Sequence, residues 1–411
     1  MSISTSTSAT LPVVSSSGMS LYIHVPFCNT KCPYCDFNTY QGIENLFTPY
    51  LKALITEIKL WGAVLDGPIV NTIFFGGGTP SYLPGGAIGQ IIKAADSAFR
   101  IRPSAEITIE ANPGDITSES CSRLLSEGVN RLSIGVQSLD NGLLQMLGRR
   151  HDSEKAISSC KLAGAAGFTN ISLDLMYGLP NQTIIQWQDT LQRLADLEPN
   201  HISLYSLTLE EGTPLHQWVQ QGKLPTPDID LTADMYHYAE HCLETRGYSH
   251  YEISNWAKPG FPSEHNLAYW RNHPYVGVGP GAHSRIGAYR FWTLNSPREY
   301  IEHSQNWELS NPVRFSGFTE YDLGTIPTIL DHEYISPDLF ASETMFLGLR
   351  LLDGINLQEL SAMAGTDLRM LYKSQISECF ALGLLEENDG LLKLTKETYL
   401  IANQVFTRFI D

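Results

Sequence analysis

The sequence predicts an α/β protein in which a partial (β/α)6 barrel is followed by a smaller, mostly helical, winged-helix-like domain, and three observations predict it. Short apolar, β-branched runs at 21–25, 71–75, 106–110, 131–136, 170–175 and 201–205 alternate with helical stretches, the order expected of parallel strands covered by helices. Nearly every run leads at once into residues of unusual chemistry, as on the carboxyl-end face of a βα barrel. Beyond residue 337 the periodicity changes to three helices and a hairpin.

Residues 1–18 are rich in Ser and Thr, carry no charged side chain, and lack the basic start and apolar core of a signal peptide. They read as a disordered tail, with Met19 an alternative start. Over 19–210 the strand order alone suits an open sheet as well as a barrel. What favours the barrel is the placement of distinctive residues. Cys28, Cys32 and Cys35 follow the first run, Gly76-Gly77-Gly78-Thr79-Pro80 the second, Glu110-Ala111-Asn112-Pro113 closes the third, Gln137 follows the fourth, Asp174 lies in the fifth and Ser206 follows the sixth.

Residues 211–310 mix short helices with aromatic and Gly-rich loops and read as an extension of the barrel. Pro, Gly and polar residues make 311–337 a linker or inserted loop. The last domain, 338–411, follows from helical spacing at 337–352, 356–364 and 368–382, the turn Asn388-Asp389-Gly390, a run at 391–394 and a final helix. From Ser336 to Asp411 there are 11 acidic and 6 basic side chains. A packing or partner-contact module therefore fits this winged-helix pattern better than a DNA-binding one.

A formal net charge of −17 with no Lys/Arg-rich run argues against nucleic acid and anionic lipid surfaces as partners. No apolar run approaches the roughly 18 residues of a membrane span, so stable membrane insertion is not expected. The 7 cysteines are odd in number, three of them within eight residues and the rest scattered. That is not a secreted disulfide framework, and it points to a reducing, cytoplasmic setting.

The spacing CxxxCxxC at Cys28, Cys32 and Cys35, directly after a strand, places three thiolates around one corner of a cube. A [4Fe–4S] cluster is normally held by four thiolates, so three leave one iron open to an exogenous ligand. Zinc would want a fourth Cys or His nearby, and His24 lies in the strand itself. The glycine run lets backbone groups approach a ligand where a Cβ would clash, although alone it also reads as a tight βα turn. With Tyr22-Ile23-His24-Val25-Pro26-Phe27-Cys28 and Cys32-Pro33-Tyr34-Cys35-Asp36-Phe37, the chain resembles the radical S-adenosylmethionine (SAM) family. Within it, the resemblance is to the branch that contains the anaerobic coproporphyrinogen III oxidases and their heme-chaperone relatives.

The resemblance implies that the open iron chelates the amino and carboxylate groups of SAM, and that an electron from the cluster can cleave SAM to a 5′-deoxyadenosyl radical. It further implies that Gly77, Gly78 and Thr79 touch the SAM amino group and its surroundings and that Tyr22 and Tyr34 lie against the cofactor. Glu110, Gln137, Arg149 and Asp174 match SAM-contacting positions too. The chemistry suits them, since carboxylates accept from ammonium and hydroxyl groups and arginine offers a fork to a carboxylate.

The segment His265-Asn266-Leu267-Ala268-Tyr269-Trp270 reads as HNxxYW, which resembles the chaperones' signature. It implies heme bound by His265 with Tyr269 and Trp270 against the porphyrin, since a neutral imidazole can ligate heme iron. As an isolated residue, His265 reads equally as a hydrogen-bonded loop histidine among core aromatics. Gly277-x-Gly279-x-Gly281-Ala282-His283 lacks the spacing and frame of a dinucleotide loop and reads as a turn bordering the same cavity, with His283 a second heme-ligand candidate.

The oxidases carry a fourth cysteine two residues beyond the third, where this chain has Phe37. The resemblance therefore implies a heme chaperone, serving acceptor hemoproteins and fed by an electron donor, with room for a homodimer that the cluster and SAM control. Two enzyme readings stand beside it: oxidative decarboxylation of coproporphyrinogen III propionates, and radical chemistry on an unassigned substrate.

Overall fold

The computed structural model describes residues 17–305 and 319–410. The expected tail over 1–16 and the 311–318 part of the expected linker lie outside the described residues. Six strands, β1 (Met19–Val25), β2 (Ile69–Gly77), β3 (Arg100–Ala111), β4 (Arg131–Gln137), β5 (Ile171–Tyr177) and β6 (His201–Ser206), pair side by side in chain order. All five pairings are parallel. This is the α/β barrel-type core that the sequence predicts.

Alternation along the strands decides what faces where. Leu21, Ile23 and Val25 of β1, Ile107 and Ile109 of β3, Leu132, Ile134 and Val136 of β4, and Leu173 and Leu175 of β5 are all buried in one core with helical residues such as Trp61 and Trp187. Because successive side chains of a strand point to opposite faces, the intervening residues go to the other side. These are Tyr22 and His24, Thr72 and Phe74, Glu106 and Glu110, Arg131 and Ser133, and Ser172 and Asp174. Register aligns them across strands, with Glu110 opposite Ser133, Gly135 opposite Asp174, and Asp174 opposite Ser203. The result is a polar lumen inside an apolar coat.

Beyond the six, β7 (Ser249–Glu252) and β8 (Asn255–Ala257) extend the sheet past β6, while β9 (Tyr275–Val278), β10 (His283–Ile286), β11 (Tyr289–Thr293) and β12 (Ile329–Tyr334) extend it past β1. Two details differ from the sequence reading. Strand β3 starts at Arg100 rather than near 106, through an exposed stretch that pairs only with Ile69 and Val70 before the register shifts. The 319–337 part of the expected linker holds the helix Glu320–Gly324 and strand β12, which pairs antiparallel with β11.

The C-terminal domain has its own core around Phe340, Met345, Leu368, Cys379, Leu392 and Phe409. Its third helical stretch is divided at Tyr372 into Leu368–Leu371 and Lys373–Ala381, and β13 (Leu385–Asn388) and β14 (Leu391–Leu394) form the hairpin. Among the described residues no helix is long and apolar enough to cross a membrane.

Candidate cluster and cofactor site

A cavity of about 570 Å³ opens among the cysteine loop and the carboxyl-end residues of β2 to β6, within the usual size of ligand sites. Cys28, Cys32 and Cys35 stand on its wall. The loop that carries them is stitched at its base by Cys28 N–H donating to Tyr40 O at 2.9 Å and Tyr40 N–H to Pro26 O at 2.7 Å. Its far side is held by Asn38, whose Nδ2 donates to Pro280 O and Asn295 O, each at 2.9 Å. His24 Nε2 donates to Asn38 O at 2.9 Å, which leaves Nδ1 to accept from Tyr22 Oη at 3.1 Å.

Two donors are aimed at the sulfurs. Thr79 Oγ1 donates to Cys28 Sγ and Arg149 Nη1 to Cys32 Sγ, both at 3.6 Å. Burial pushes the Cys28 and Cys35 thiols up, so a free thiolate is disfavoured until cationic iron compensates. Hydrogen bonds to sulfur are a normal part of a cluster's surroundings. Arg149 also donates Nη2 to Gly135 O at 2.7 Å, while its buried Nε has no partner. Among the described residues no three His, Cys, Asp or Glu side chains form a site for a single metal ion. Three thiols, two of them with donors at their sulfurs, beside a cavity with open space, fit a cluster that keeps one iron for another ligand.

The glycine turn is shaped by contact. Gly77 has φ +103°, and a Cβ on Gly78 would stand 2.5 Å from Phe27 O and 2.8 Å from Val25 O. Gly78 and Thr79 instead donate their N–H groups to those same carbonyls, at 2.7 and 2.8 Å. The end of β2 is thereby laced to the segment that feeds Cys28. At the end of β4, Gln137 adopts φ +66° where the β4–β5 register breaks, a left-handed conformation that is uncommon for non-glycine residues.

Glu110 and Asp174 give the cavity its acidic wall. Burial, then the neighbouring Asp174, raises the Glu110 carboxyl to about 8. Burial also raises Asp174, although Ser133 Oγ donates to Asp174 Oδ2 at 2.9 Å and Ser172 Oγ to Oδ1 at 3.2 Å. Two enclosed carboxyls raised by burial have no ion-pair partner among the described residues, and an ammonium or hydroxyl donors arriving there would favour their carboxylate form.

Of the residues expected at SAM, Tyr34, Gly77, Gly78, Thr79, Glu110, Gln137, Arg149 and Asp174 share this wall. Tyr22 stands off it, with its ring layered behind Phe74 at 6.3 Å and its hydroxyl on His24. Phe37, at the place of the oxidases' fourth cysteine, is 62% exposed on the rim. The HNxxYW residues form most of the helix Glu264–Trp270, which lies deeper in the lumen. Only Asn266 of that helix reaches the cavity wall. His265 is buried, stacked on Phe74 at 4.9 Å. Trp270 carries the Arg350 guanidinium on its face at 4.1 Å. His283 is exposed and stacked on Trp292 at 5.5 Å, off the cavity wall, because the turn before it packs against His24 and Asn38.

Sequence reasoning passed over Arg131 and Glu106. Arg131 is 2% exposed yet lies on the cavity wall, its Nε 3.9 Å from a Glu106 carboxylate oxygen and without a hydrogen bond. Glu106 accepts from the N–H groups of Glu264 and His265 at 3.0 and 3.1 Å, which fixes the start of the HNxxYW helix. The available signal was alternation, since both residues interleave with buried apolar residues of β3 and β4.

This strand order and cysteine loop define a radical SAM barrel. The radical SAM superfamily profile matches residues 22–194 and the HemN C-terminal domain profile residues 335–401. The structure of coproporphyrinogen III oxidase (HemN) from Escherichia coli superimposes with a TM-score of 0.79 over 98% of this chain and 91% of that one, at 22% identity. The heme chaperone HemW of Bacillus subtilis is 36% identical over 95% of this chain and 99% of its own. The Mycobacterium tuberculosis HemW is 34% identical over 94% and 93%. The chain belongs to the HemW family of the radical SAM superfamily. The superfamily's cofactors are a [4Fe–4S] cluster and SAM, and the residues around the cavity fit both.

Proposed function

We propose that this protein binds heme and passes it to acceptor hemoproteins, with Cys28, Cys32 and Cys35 holding a [4Fe–4S] cluster to which SAM is bound. The cluster and SAM supply reducing and radical chemistry when bound. The chain's own part is to hold the thiolates with Thr79 and Arg149, to receive the SAM ammonium and hydroxyls at Glu110 and Asp174, and to offer a carboxylate the fork of Arg149. Tyr22 supports the site through His24.

The observation that carries the heme reading is the position of the HNxxYW helix, whose Asn266 shares a wall with the cluster cavity. His265 is then the iron ligand, Tyr269 and Trp270 flank the porphyrin, and His283 is a weaker candidate for iron. We assign the cofactor to the barrel 19–210, the heme motif to its extension 211–310, and contact with partners to 338–411. An electron donor serves the cluster, and a cytoplasmic setting and a homodimer controlled by the cluster and SAM belong to the same reading.

The test is anaerobic reconstitution followed by hemin titration, in parallel with an assay on coproporphyrinogen III with SAM and a reductant. Saturable one-to-one heme binding without decarboxylated product is expected. Steady protoporphyrinogen formation would make the protein an oxidase despite Phe37. Cys32→Ala is expected to lose the cluster absorbance, and His265→Ala to weaken heme binding with that absorbance intact.

A further inference from the structure

The turn Gly277-x-Gly279-x-Gly281 is no dinucleotide loop, and its contacts show what its glycines admit. A Cβ on Gly279, at φ +98°, would run into His24 O, and one on Gly281, at φ +79°, into the Asn38 amide. The turn is also held from behind. Gly279 N–H donates to Glu57 Oε2 at 2.8 Å, and this buried carboxyl accepts from Tyr300 Oη at 2.5 Å and Thr328 Oγ1 at 2.8 Å. Thr293 Oγ1 donates to Gly279 O at 2.5 Å and accepts the Ala282 N–H at 3.0 Å. Pinned on both sides of Pro280, the turn presents the Pro280 carbonyl in a fixed place.

Asn38 fits that place atom for atom. Its Nδ2 spends both hydrogens, on Pro280 O and Asn295 O, each at 2.9 Å. Its Oδ1 accepts from Tyr40 Oη at 2.9 Å, and its backbone O accepts from His24 Nε2 at 2.9 Å. Two carbonyls at one end of the amide and a hydroxyl at the other fix which end is nitrogen. The chain neighbours of Asn38 are the groups that approach the Cys35 sulfur: the Phe37 backbone N–H and the Thr39 hydroxyl, the latter at 4.0 Å. Cys28 and Cys32 take donors from Thr79 and Arg149, elsewhere in the barrel. Cys35 takes them from its own loop, so their placement depends on what pins that loop.

We infer that Asn38 is a positioning residue for the cluster: seated against Gly281 and on two carbonyls, it holds Phe37 and Thr39 where they support Cys35, and the glycine turn is its socket. This rests on the reading of the three cysteines as cluster ligands. Outer partners of metal ligands typically account for about 10- to 100-fold in metal affinity, and hydrogen bonds to sulfur help to set a cluster's potential. The place requires an amide. Aspartate would press a carboxylate against two carbonyl oxygens, and alanine would leave both without this donor.

The experiment uses the full chain, reconstituted anaerobically, and reads iron release to a chelator and the cluster's midpoint potential by EPR-monitored titration. Asn38→Asp and Asn38→Ala are expected to release iron about 10-fold faster and to lower the potential, because donors to sulfur favour the reduced cluster. Tyr40→Phe keeps both backbone bonds of residue 40 and removes the donor to Asn38 Oδ1. It is expected to move both readouts in the same direction by less, and it decides the matter where the Asn38 variants fail to fold. Phe409→Leu, in the core of the C-terminal domain, lowers Tm without touching the loop and is expected to leave both readouts unchanged. Wild-type release and potential in the loop variants that fold, or equal changes in Phe409→Leu, overturn the inference and leave the cluster reading standing. A wild-type chain that takes up no cluster instead overturns that reading.

Discussion

Glu110 shows how one side chain links binding to stability. Its carboxyl is raised to about 8 by burial and by Asp174, whereas an unfolded chain releases that proton near the ordinary glutamate range of about 4.3. Between these values the folded protein binds the extra proton, so this group's contribution destabilises the fold progressively as pH rises through that window and levels off above about 8. Glu110→Gln is expected to flatten the fall in Tm of the cofactor-free protein between about pH 5 and pH 8. It should also weaken SAM binding above about pH 8, where Glu110 is a carboxylate and the amide stays neutral. Thermal melts across that pH range and SAM titration check both halves, and an equally steep pH dependence in the variant would assign the effect to other groups, Asp174 first.

At the scale of elements, the glycine turn and the cysteine loop behave as one unit. A Cβ on Gly78 would meet backbone oxygens of Phe27 and Val25, and backbone cannot rotate aside as a long side chain can. Gly78→Ala is expected to cost about 1–3 kcal/mol and to reduce the cluster content after reconstitution, since Cys28 follows Phe27 directly. Urea unfolding and iron content per chain measure these, and full iron content would show that the loop adapts. The six parallel strands were legible because their apolar runs are long and β-branched, and the cysteine loop because its spacing is distinctive. Less legible was the lumen. Polar residues alternating with apolar ones ordinarily mark a solvent face, and only closure of strands around an interior turns Arg131, Ser133 and Glu106 into lumen residues. Strand β12 escaped for a related reason, since Asp331 and Glu333 on a sheet edge look like linker. Linear order also could not tell that His265, some 190 residues after Thr72, would sit between Phe74 and Tyr269.

At the scale of the whole molecule, the C-terminal domain grips the heme-motif helix through paired charges. Arg350 rests on Trp270 and donates to buried Glu252 at 3.3 Å, a carboxyl that also accepts from Asn255. Arg290 reaches Glu343 at 2.5 Å, and Asn272 Nδ2 donates to Thr344 Oγ1 at 3.1 Å. Removing one partner of a buried pair strands the other charge, which typically costs about 3–5 kcal/mol, whereas replacing both by apolar groups is often neutral. Arg350→Ala is therefore expected to lower Tm and to speed proteolysis, because Glu252 stays buried without its cation. Glu252→Leu combined with Arg350→Met is expected to recover much of the loss, since the apolar stem still covers Trp270. A double-mutant cycle on Tm with limited proteolysis decides it. Equal losses in Arg350→Ala and the double variant would mean that contact with Trp270, rather than charge pairing, joins the domain to the barrel.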